Sequence, residues 1–394
     1  MMTLPLEGTR VVSLETSVSG PFCTALLSDF GAEVIKIERP RVGDVSREWD
    51  TAAGGLSSAF VALNRNKKSL TLDVKSQKGF EILTRIIKTS DVFLHNLTPE
   101  AISRLKLAYE SVRALSPQIV YCGITGYGKD GPYSHAKAYD LLVQGEAALI
   151  TLTGYPEKPA KIALSICDIA AGMYASQAIL LALIHRQRTG EGQEIDISMF
   201  ESVISWYIYF QYYQWYRGET PPRAGMRHHI FSPYGPFLAA DGRYVNMAVL
   251  SNDEWRRICS NVFKREDLPH DPRFATNEKR VENRHQLESI VEQIISEKDH
   301  NYWIKELQKA GIACGRLNTV GEVLDHPQSI YRKVVREIDS PVGKIKYLCS
   351  PLRLSMAPAK LEFIPRLGQH TDEILVHLGY PQKTVDELRS EGVV

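Results

Sequence analysis

An aspartate, Asp168, stands at the mouth of a long apolar run, Ser165-Ile166-Cys167-Asp168-Ile169-Ala170-Ala171-Gly172-Met173-Tyr174, and two chemistries fit it. Directly before a helix running from Ile169 to Ile184, its carboxylate can cap the first free backbone N–H groups, a common use of aspartate there. The same place suits a nucleophile. The helix dipole favours the ionised form, and a carboxyl with an ordinary pKa of about 3.9 needs no partner base at neutral pH. A carboxylate is weakly nucleophilic, so its electrophile must arrive activated, and a thioester meets that need better than an amide. The two roles are compatible, and the second predicts an acyl-transfer enzyme.

The 394 residues carry 47 Lys plus Arg against 46 Asp plus Glu, a formal net charge of +1. No global field recruits nucleic acid or an anionic membrane, so neither is an expected partner, and an anionic ligand must be met by local cations. The length allows two domains and a large core. Six cysteines, at 23, 122, 167, 259, 314 and 349, lie far apart and lack the spacing of a zinc site or a disulfide framework. They read as reduced thiols of a cytoplasmic protein, and no metal is expected. The opening Met1 to Gly8 lacks a charged segment followed by an apolar one, so no export or transit peptide is expected. The run from Ile169 to Ile184 contains Ser176 and Gln177 and falls short of the roughly 20 apolar residues of a membrane span, which predicts a buried core helix.

These residues need a scaffold, and the first two hundred positions alternate short apolar strands with helices. Strands are expected at Arg10–Leu14, Glu33–Glu38, Asp91–Leu94 and Ile119–Ile124, with helices at Gly20–Phe30 and Gly79–Thr89. That rhythm predicts an α/β fold with a mostly parallel, Rossmann-like sheet. No GxGxxG follows the first strand, which argues against NAD. From Trp206 the texture changes to an aromatic and Pro-rich stretch, read as a crossover linker over 206–225. A smaller α+β domain is expected over 226–326, with a strand pair near Asp241–Val245 and helices at Asp253–Phe263, Arg284–Glu297 and Asn301–Ala310. Residues 327–394, ending in an amphipathic helix at Thr371–Leu378, are expected to return to the large domain begun by 1–205.

Several segments together resemble the class III CoA-transferases, the group that includes formyl-CoA transferase, carnitine CoA-transferase and α-methylacyl-CoA racemase. They include Pro5-Leu6-Glu7-Gly8-Thr9-Arg10-Val11-Val12, Gly20-Pro21-Phe22-Cys23-Thr24 and Leu27-Ser28-Asp29-Phe30-Gly31-Ala32-Glu33-Val34-Ile35-Lys36-Ile37-Glu38. Further along come Gly43-Asp44, Leu63-Asn64-Arg65-Asn66-Lys67-Lys68-Ser69, Gly126-Tyr127-Gly128 and Leu367-Gly368-Gln369-His370. Each match is weak alone; their number and order over the whole chain make the resemblance specific. It implies a Rossmann-like large domain built from both ends of the chain, a smaller domain between them, and an obligate homodimer of interlocked rings.

The resemblance also implies roles. Asp168 is the nucleophile, passing through a mixed anhydride and an aspartyl-CoA thioester, and Asp140 matches an acidic position tied to turnover, with a capping or solvated carboxylate as its other reading. Backbone N–H groups of the Ser17–Gly20 turn, Val18 and Ser19 above all, are the candidate oxyanion donors. Coenzyme A, as a thioester substrate, is expected at Arg39, Lys67, Leu72, Asn96, Arg104 and Lys137. Tyr139 stands where racemases of this fold carry a histidine, and a phenol with an ordinary pKa near 10 is a poor acid/base at neutral pH, which favours transfer over racemisation. The branch resembled handles small dicarboxylates (mesaconate, itaconate, citramalate, malate or succinate), and the absence of a glycine run argues against oxalate. Arg223, Arg227, His228 and His229 are then candidates for clamping a distal carboxylate, or else solvated loop residues. An α-methylacyl-CoA racemase and a non-catalytic CoA-binding protein remain as alternatives.

Overall fold

The computed structural model describes residues 4–394; Met1 to Thr3, part of the opening read above for a leader, lie outside them. Six strands form one parallel sheet: β1 (Arg10–Leu14), β2 (Glu33–Glu38), β3 (Lys68–Thr71), β4 (Val92–His95), β5 (Val120–Thr125) and β6 (Gln193–Ser198). Their spatial order is 3-2-1-4-5-6, that of a doubly wound nucleotide-binding sheet. Such a sheet opens a crevice beyond the strand ends where the order reverses, here between β1 and β4. The apolar runs are continuous because both faces are covered; Val11, Val12, Val92, Phe93 and Leu94 are all fully buried.

The helices that matter for the crevice are α1 (Ser19–Ser28), α2 (Gln77–Lys88), α3 (Asp140–Glu146) and α4 (Ile166–Thr189). In α2, Ile82, Leu83, Ile86 and Ile87 recur at helical spacing and bury one face in the core, and Ser76 Oγ accepts the Gly79 N–H at 3.1 Å to start it. Helix α4 begins three residues earlier than expected, so Asp168 sits in its first turn rather than at its cap. It is also longer, and by length and composition it could cross a membrane. The expectation of a fully buried core helix is corrected: one face packs inward through Ala171, Ala175, Ile179 and Ala182, while Met173, Leu180, Leu181 and Ile184 are exposed.

The chain divides into two compact units, 1–147 with 163–206 and 327–394, and 148–162 with 207–326. The smaller unit therefore also claims 148–162, and the segment read as a linker holds a helix, α5 (Phe210–Arg217). Its strands β7 (Tyr234–Leu238), β8 (Tyr244–Ala248) and β9 (Ala313–Arg316) form an antiparallel sheet. Helices α6 (Asn252–Ile258), α7 (Arg284–Ile295) and α8 (His300–Lys309) cover it around Phe237, Trp255, Phe274 and Trp303.

In the larger unit the C-terminal segment adds a hairpin, β10 (Val335–Ser340) with β11 (Gly343–Leu348), then α9 (Thr371–His377) and α10 (Gln382–Ser390). Ile374, Leu375, Val385 and Leu388 enter the same core as β1 and α2. The edge strand β3 is closed by this return: Ser69 N–H donates to His370 Nδ1 at 3.1 Å and Thr71 N–H to Thr371 Oγ1 at 3.1 Å. Free strand N–H groups thereby find side-chain acceptors instead of a foreign strand.

Candidate active site

The turn after β1 leads directly into the site. Ser17 takes a left-handed φ of 67°, and its N–H donates to Asp44 Oδ1 at 3.1 Å. Thr16 is clamped by the Asn96 side chain, which accepts its N–H at 3.0 Å and donates to its carbonyl at 2.8 Å. Val18 is the N-cap residue of α1, so its side chain offers no cap and only its backbone can act. Gly20 admits no side chain, since a Cβ there would meet Glu15 Cβ at 2.9 Å. Beneath the turn lies a buried ionic group: Lys67 Nζ to Glu15 at 2.9 Å and Lys36 Nζ to Asp44 at 2.7 Å. Burial works to raise the Glu15 carboxyl, but the Lys67 and Lys36 charges outweigh it and hold it below its ordinary value.

Asp168 faces this turn from the first turn of α4. The Ser19 hydroxyl and N–H favour the charged form of its carboxyl. Burial first, and the Asp140 charge second, push it up to about 7 against them. Asp140, at the start of α3, accepts the Cys167 N–H at 2.7 Å and the Asp168 N–H at 3.4 Å on Oδ1, and the Gln144 amide at 2.6 Å on Oδ2. The N-cap residue Ser165 makes no side-chain cap. The capping role read for Asp168 thus belongs to Asp140, which closes the nucleophile's helix from a neighbouring one. Burial pushes the Cys167 thiol up to about 12, leaving it neutral beside them.

A groove of about 1300 Å³ runs from this turn along the strand ends, lined by Thr16 and Asp44 at one end and by Arg39, Leu72, Lys75, Ser76 and Arg104 further out. Arg39, Lys75, Arg104 and Lys106 all reach its wall, and none of them forms an ion pair among the described residues. The N-terminus of α2 opens on it too, with Ser76 and Gln77 in the lining. Cations and a helix N-terminus on an otherwise neutral protein suit a ligand carrying phosphates.

The structure therefore brings Asp168, Asp140, Val18 and Ser19 together, and Arg39, Leu72 and Arg104 into one groove. It places three expected CoA residues elsewhere. Lys67 is fully buried, its ammonium spent on Glu15, the Pro21 carbonyl and Asn64. Asn96 belongs to the turn, and Lys137 stands exposed on the loop before α3, outside the lining. Tyr139 is 73% exposed.

In the smaller unit the carboxylate clamp does not form. Arg223 donates to the carbonyls of Thr151 and Tyr155 at 3.0 and 2.8 Å and to that of Pro156. Arg227 pairs with Glu288 at 3.1 Å and Glu292 at 2.9 Å over the Phe237 ring. His228 stacks on Tyr234 with ring centroids 4.7 Å apart, and His229 packs edge-on against Phe210. Burial, with Arg284 beside it, depresses the His228 pKa, which disfavours the charged form a clamp requires. Lys75, Ser76 and Lys106 also line the groove and were not among the expected residues; the polar start of α2 at Ser76 was the available signal.

Comparison with known proteins agrees with this geometry. The family described as CoA-transferase family III matches residues 6–371. The human succinyl-CoA:glutarate CoA-transferase is 34% identical over 99% of this chain and 90% of its own, and the Chloroflexus aurantiacus succinyl-CoA–D-citramalate CoA-transferase is 32% identical over 99% and 98%. A CAIB/BAIF family protein from Brucella suis superposes with a TM-score of 0.84 at 35% identity, covering 95% of this chain and 100% of that one. A parallel sheet of nucleotide-binding order, a carboxylate held at its switch point and a whole-length family match lead to one assignment: the chain belongs to CoA-transferase family III and is an acyl-CoA:carboxylate CoA-transferase.

Proposed function

We propose that the protein moves CoA from succinyl-CoA to a C4 or C5 dicarboxylate through covalent intermediates on Asp168. The observation that carries the mechanism is the half-buried Asp168 carboxyl, pushed up to about 7 in the first turn of α4 and facing the turn after β1, whose Thr16 also lines the cation-walled groove. The relatives named for glutarate and citramalate support the acceptor class.

In the first step an Asp168 oxygen attacks the thioester carbonyl, the C–S bond breaks, and CoA leaves as thiolate from an acyl-aspartyl anhydride. The thiolate then attacks the Asp168 carboxyl carbon, expelling the donor acid and leaving an aspartyl-CoA thioester. The acceptor carboxylate attacks that thioester, again releasing thiolate. Finally the thiolate attacks the acceptor's acyl carbon, forming the new acyl-CoA and freeing Asp168. Each step is an exchange between acyl groups of similar reactivity, which is how covalent catalysis divides a difficult transfer. Arg39, Lys75, Arg104 and Lys106 hold the CoA phosphates, and Leu72 lies beneath the nucleotide.

The working form is a homodimer. Met173, Leu180, Leu181 and Ile184 make an uncovered apolar stripe on α4, the kind of surface a subunit interface buries.

The test is intact-protein mass spectrometry after mixing with succinyl-CoA, with peptide mapping after borohydride reduction. A CoA-sized adduct on the Asp168 peptide, discharged by glutarate or citramalate and missing from Asp168→Asn, is the expected result. Transfer to dicarboxylates without any adduct sinks the covalent route; an adduct that only monocarboxylates discharge sinks the acceptor class.

A further inference from the structure

Gln144 stands one turn after Asp140 on the same face of α3, and its side chain is fully buried. Its Nε2 donates to Asp140 Oδ2 at 2.6 Å and to the Leu164 carbonyl at 3.3 Å. Two acceptors on one nitrogen fix the orientation of the amide, because a flipped side chain would set its own oxygen against a carboxylate and a carbonyl. Three segments of the larger unit are tied in this way: the start of α3, the residue before the Ser165 cap and, through Asp140, the first turn of α4.

That first turn depends on the arrangement. Ser165 makes no side-chain cap, and the N–H groups of Cys167 and Asp168 come too early in α4 to find a carbonyl within the helix. Asp140 Oδ1 takes both, at 2.7 and 3.4 Å. Asp140 is only half-buried, so left to itself its carboxylate can turn toward water. With Oδ2 held by Gln144, Oδ1 is aimed at α4. The cap fixes the backbone at Asp168, and the carboxyl carbon stands two bonds from that backbone, so any shift of the turn is passed directly to it. A Gln–Asp pair one turn apart can serve simply to support its own helix. That role requires neither full burial of the glutamine nor a bond to a carbonyl 20 residues away.

Resting on Asp168 as the reacting carboxylate, as proposed above, we infer that Gln144 is a positioning residue for CoA transfer: it holds Asp140 as the cap of α4 and through that cap sets where the Asp168 carboxyl stands. Gln144 acts through Asp140 and needs no contact with substrate.

Full-length wild type is compared with Gln144→Leu, which keeps the volume and loses the donor, and with Gln144→Glu, which keeps the shape and sets an acceptor against Asp140. Each is assayed with succinyl-CoA and glutarate at a temperature where its melt shows it folded. Both variants are expected to lower kcat, by on the order of 10²-fold for a displacement of about 1 Å, with the KM for succinyl-CoA unchanged. Gln144→Glu is the more impaired. Amide hydrogen exchange on the peptide spanning 165–170 is expected to be slow in wild type and faster in both variants, while the rest of α4 keeps its protection. Wild-type kcat in folded Gln144→Leu, a raised KM alone, or a lowered melting temperature with kcat and that peptide's exchange unchanged overturns the inference. Wild-type exchange at Cys167 and Asp168 as fast as at an uncapped helix start overturns it whether or not the variants fold. Asp168→Asn, run alongside, is expected to be inactive; transfer by it overturns the covalent route and this inference with it, whereas the other failures leave that route standing.

Discussion

Burial and the neighbouring Asp140 charge together set Asp168 at odds with the fold that holds it. The carboxyl titrates at about 7 in the folded protein, against about 3.9 in an unfolded chain. Below pH 4 both states are protonated and no penalty exists. Between pH 4 and pH 7 the unfolded chain gives up its proton while the folded one keeps it, so unfolding is increasingly favoured as pH rises through that window. Asp168→Asn removes the charge and keeps the shape. The variant is expected to lack transfer, to match the wild type closely in stability at pH 4, and to exceed it at pH 7 by about 4 kcal/mol. Urea denaturation at the two pH values checks this; a gap that is the same at both refutes it, and taking the difference cancels buried carboxylates such as Glu15 and Asp44, which are shifted the other way. The place of Asp168 at the start of a long helix was legible in the chain because its type and the apolar run after it agree. Lys67 was not, because a lysine before a strand looks the same whether it meets a phosphate or a buried Glu15, and only the burial of its neighbour decides. The partners that occupy Arg223 and Arg227 were hidden for the same reason: apart from the Pro236 carbonyl, nine residues from Arg227, they lie 61 to 72 residues away in sequence.

Elements place these residues through close approach rather than through long side chains. Helix α4 passes α1 at Gly172, where a Cβ would fall 2.7 Å from the Ser19 carbonyl oxygen and 3.1 Å from the Phe22 ring. Gly172 is one turn beyond Asp168 on the same face, so this contact sets the height at which Asp168 faces the start of α1. Gly172→Ala forces the helices apart and is expected to lower kcat/KM by more than tenfold and destabilise by about 1–3 kcal/mol. Steady-state kinetics with a parallel melt separates the two; unchanged kinetics refutes the positioning argument. Little of this was readable beforehand. The apolar strands β1, β2, β4 and β5 announced themselves because both their faces are buried, whereas β6 alternates as an edge strand and α4 had its start misread at Asp168. The true cap, Asp140, comes from 27 positions upstream, and no local pattern reports a cap made in trans.

For the molecule as a whole, the exposed apolar stripe on α4 is a surface that lipid or protein would cover, and the proposed homodimer takes the second. The helix is long enough for a membrane, yet its other face packs on α1 and the sheet, its first turn holds Asp168 against Ser19 in the site, and its last turn carries Arg186 and Arg188. Arg186 is bound to Asp91 at 2.8 Å beside β4. A helix fixed at both ends into a parallel sheet cannot leave for a bilayer without dismantling the proposed active site, which supports the homodimer proposed above. The α/β alternation and the return of the C-terminus were legible from pattern and family likeness; the uncovered face was not, because in sequence a residue facing a partner reads as one facing the core. Leu181, 68% exposed at the centre of the stripe, is the position to charge. Light scattering is expected to give twice 44.3 kDa for the wild type and a mass falling toward one chain for Leu181→Glu at low micromolar concentration. A wild type that runs as a single chain while remaining active would show that the stripe serves another purpose.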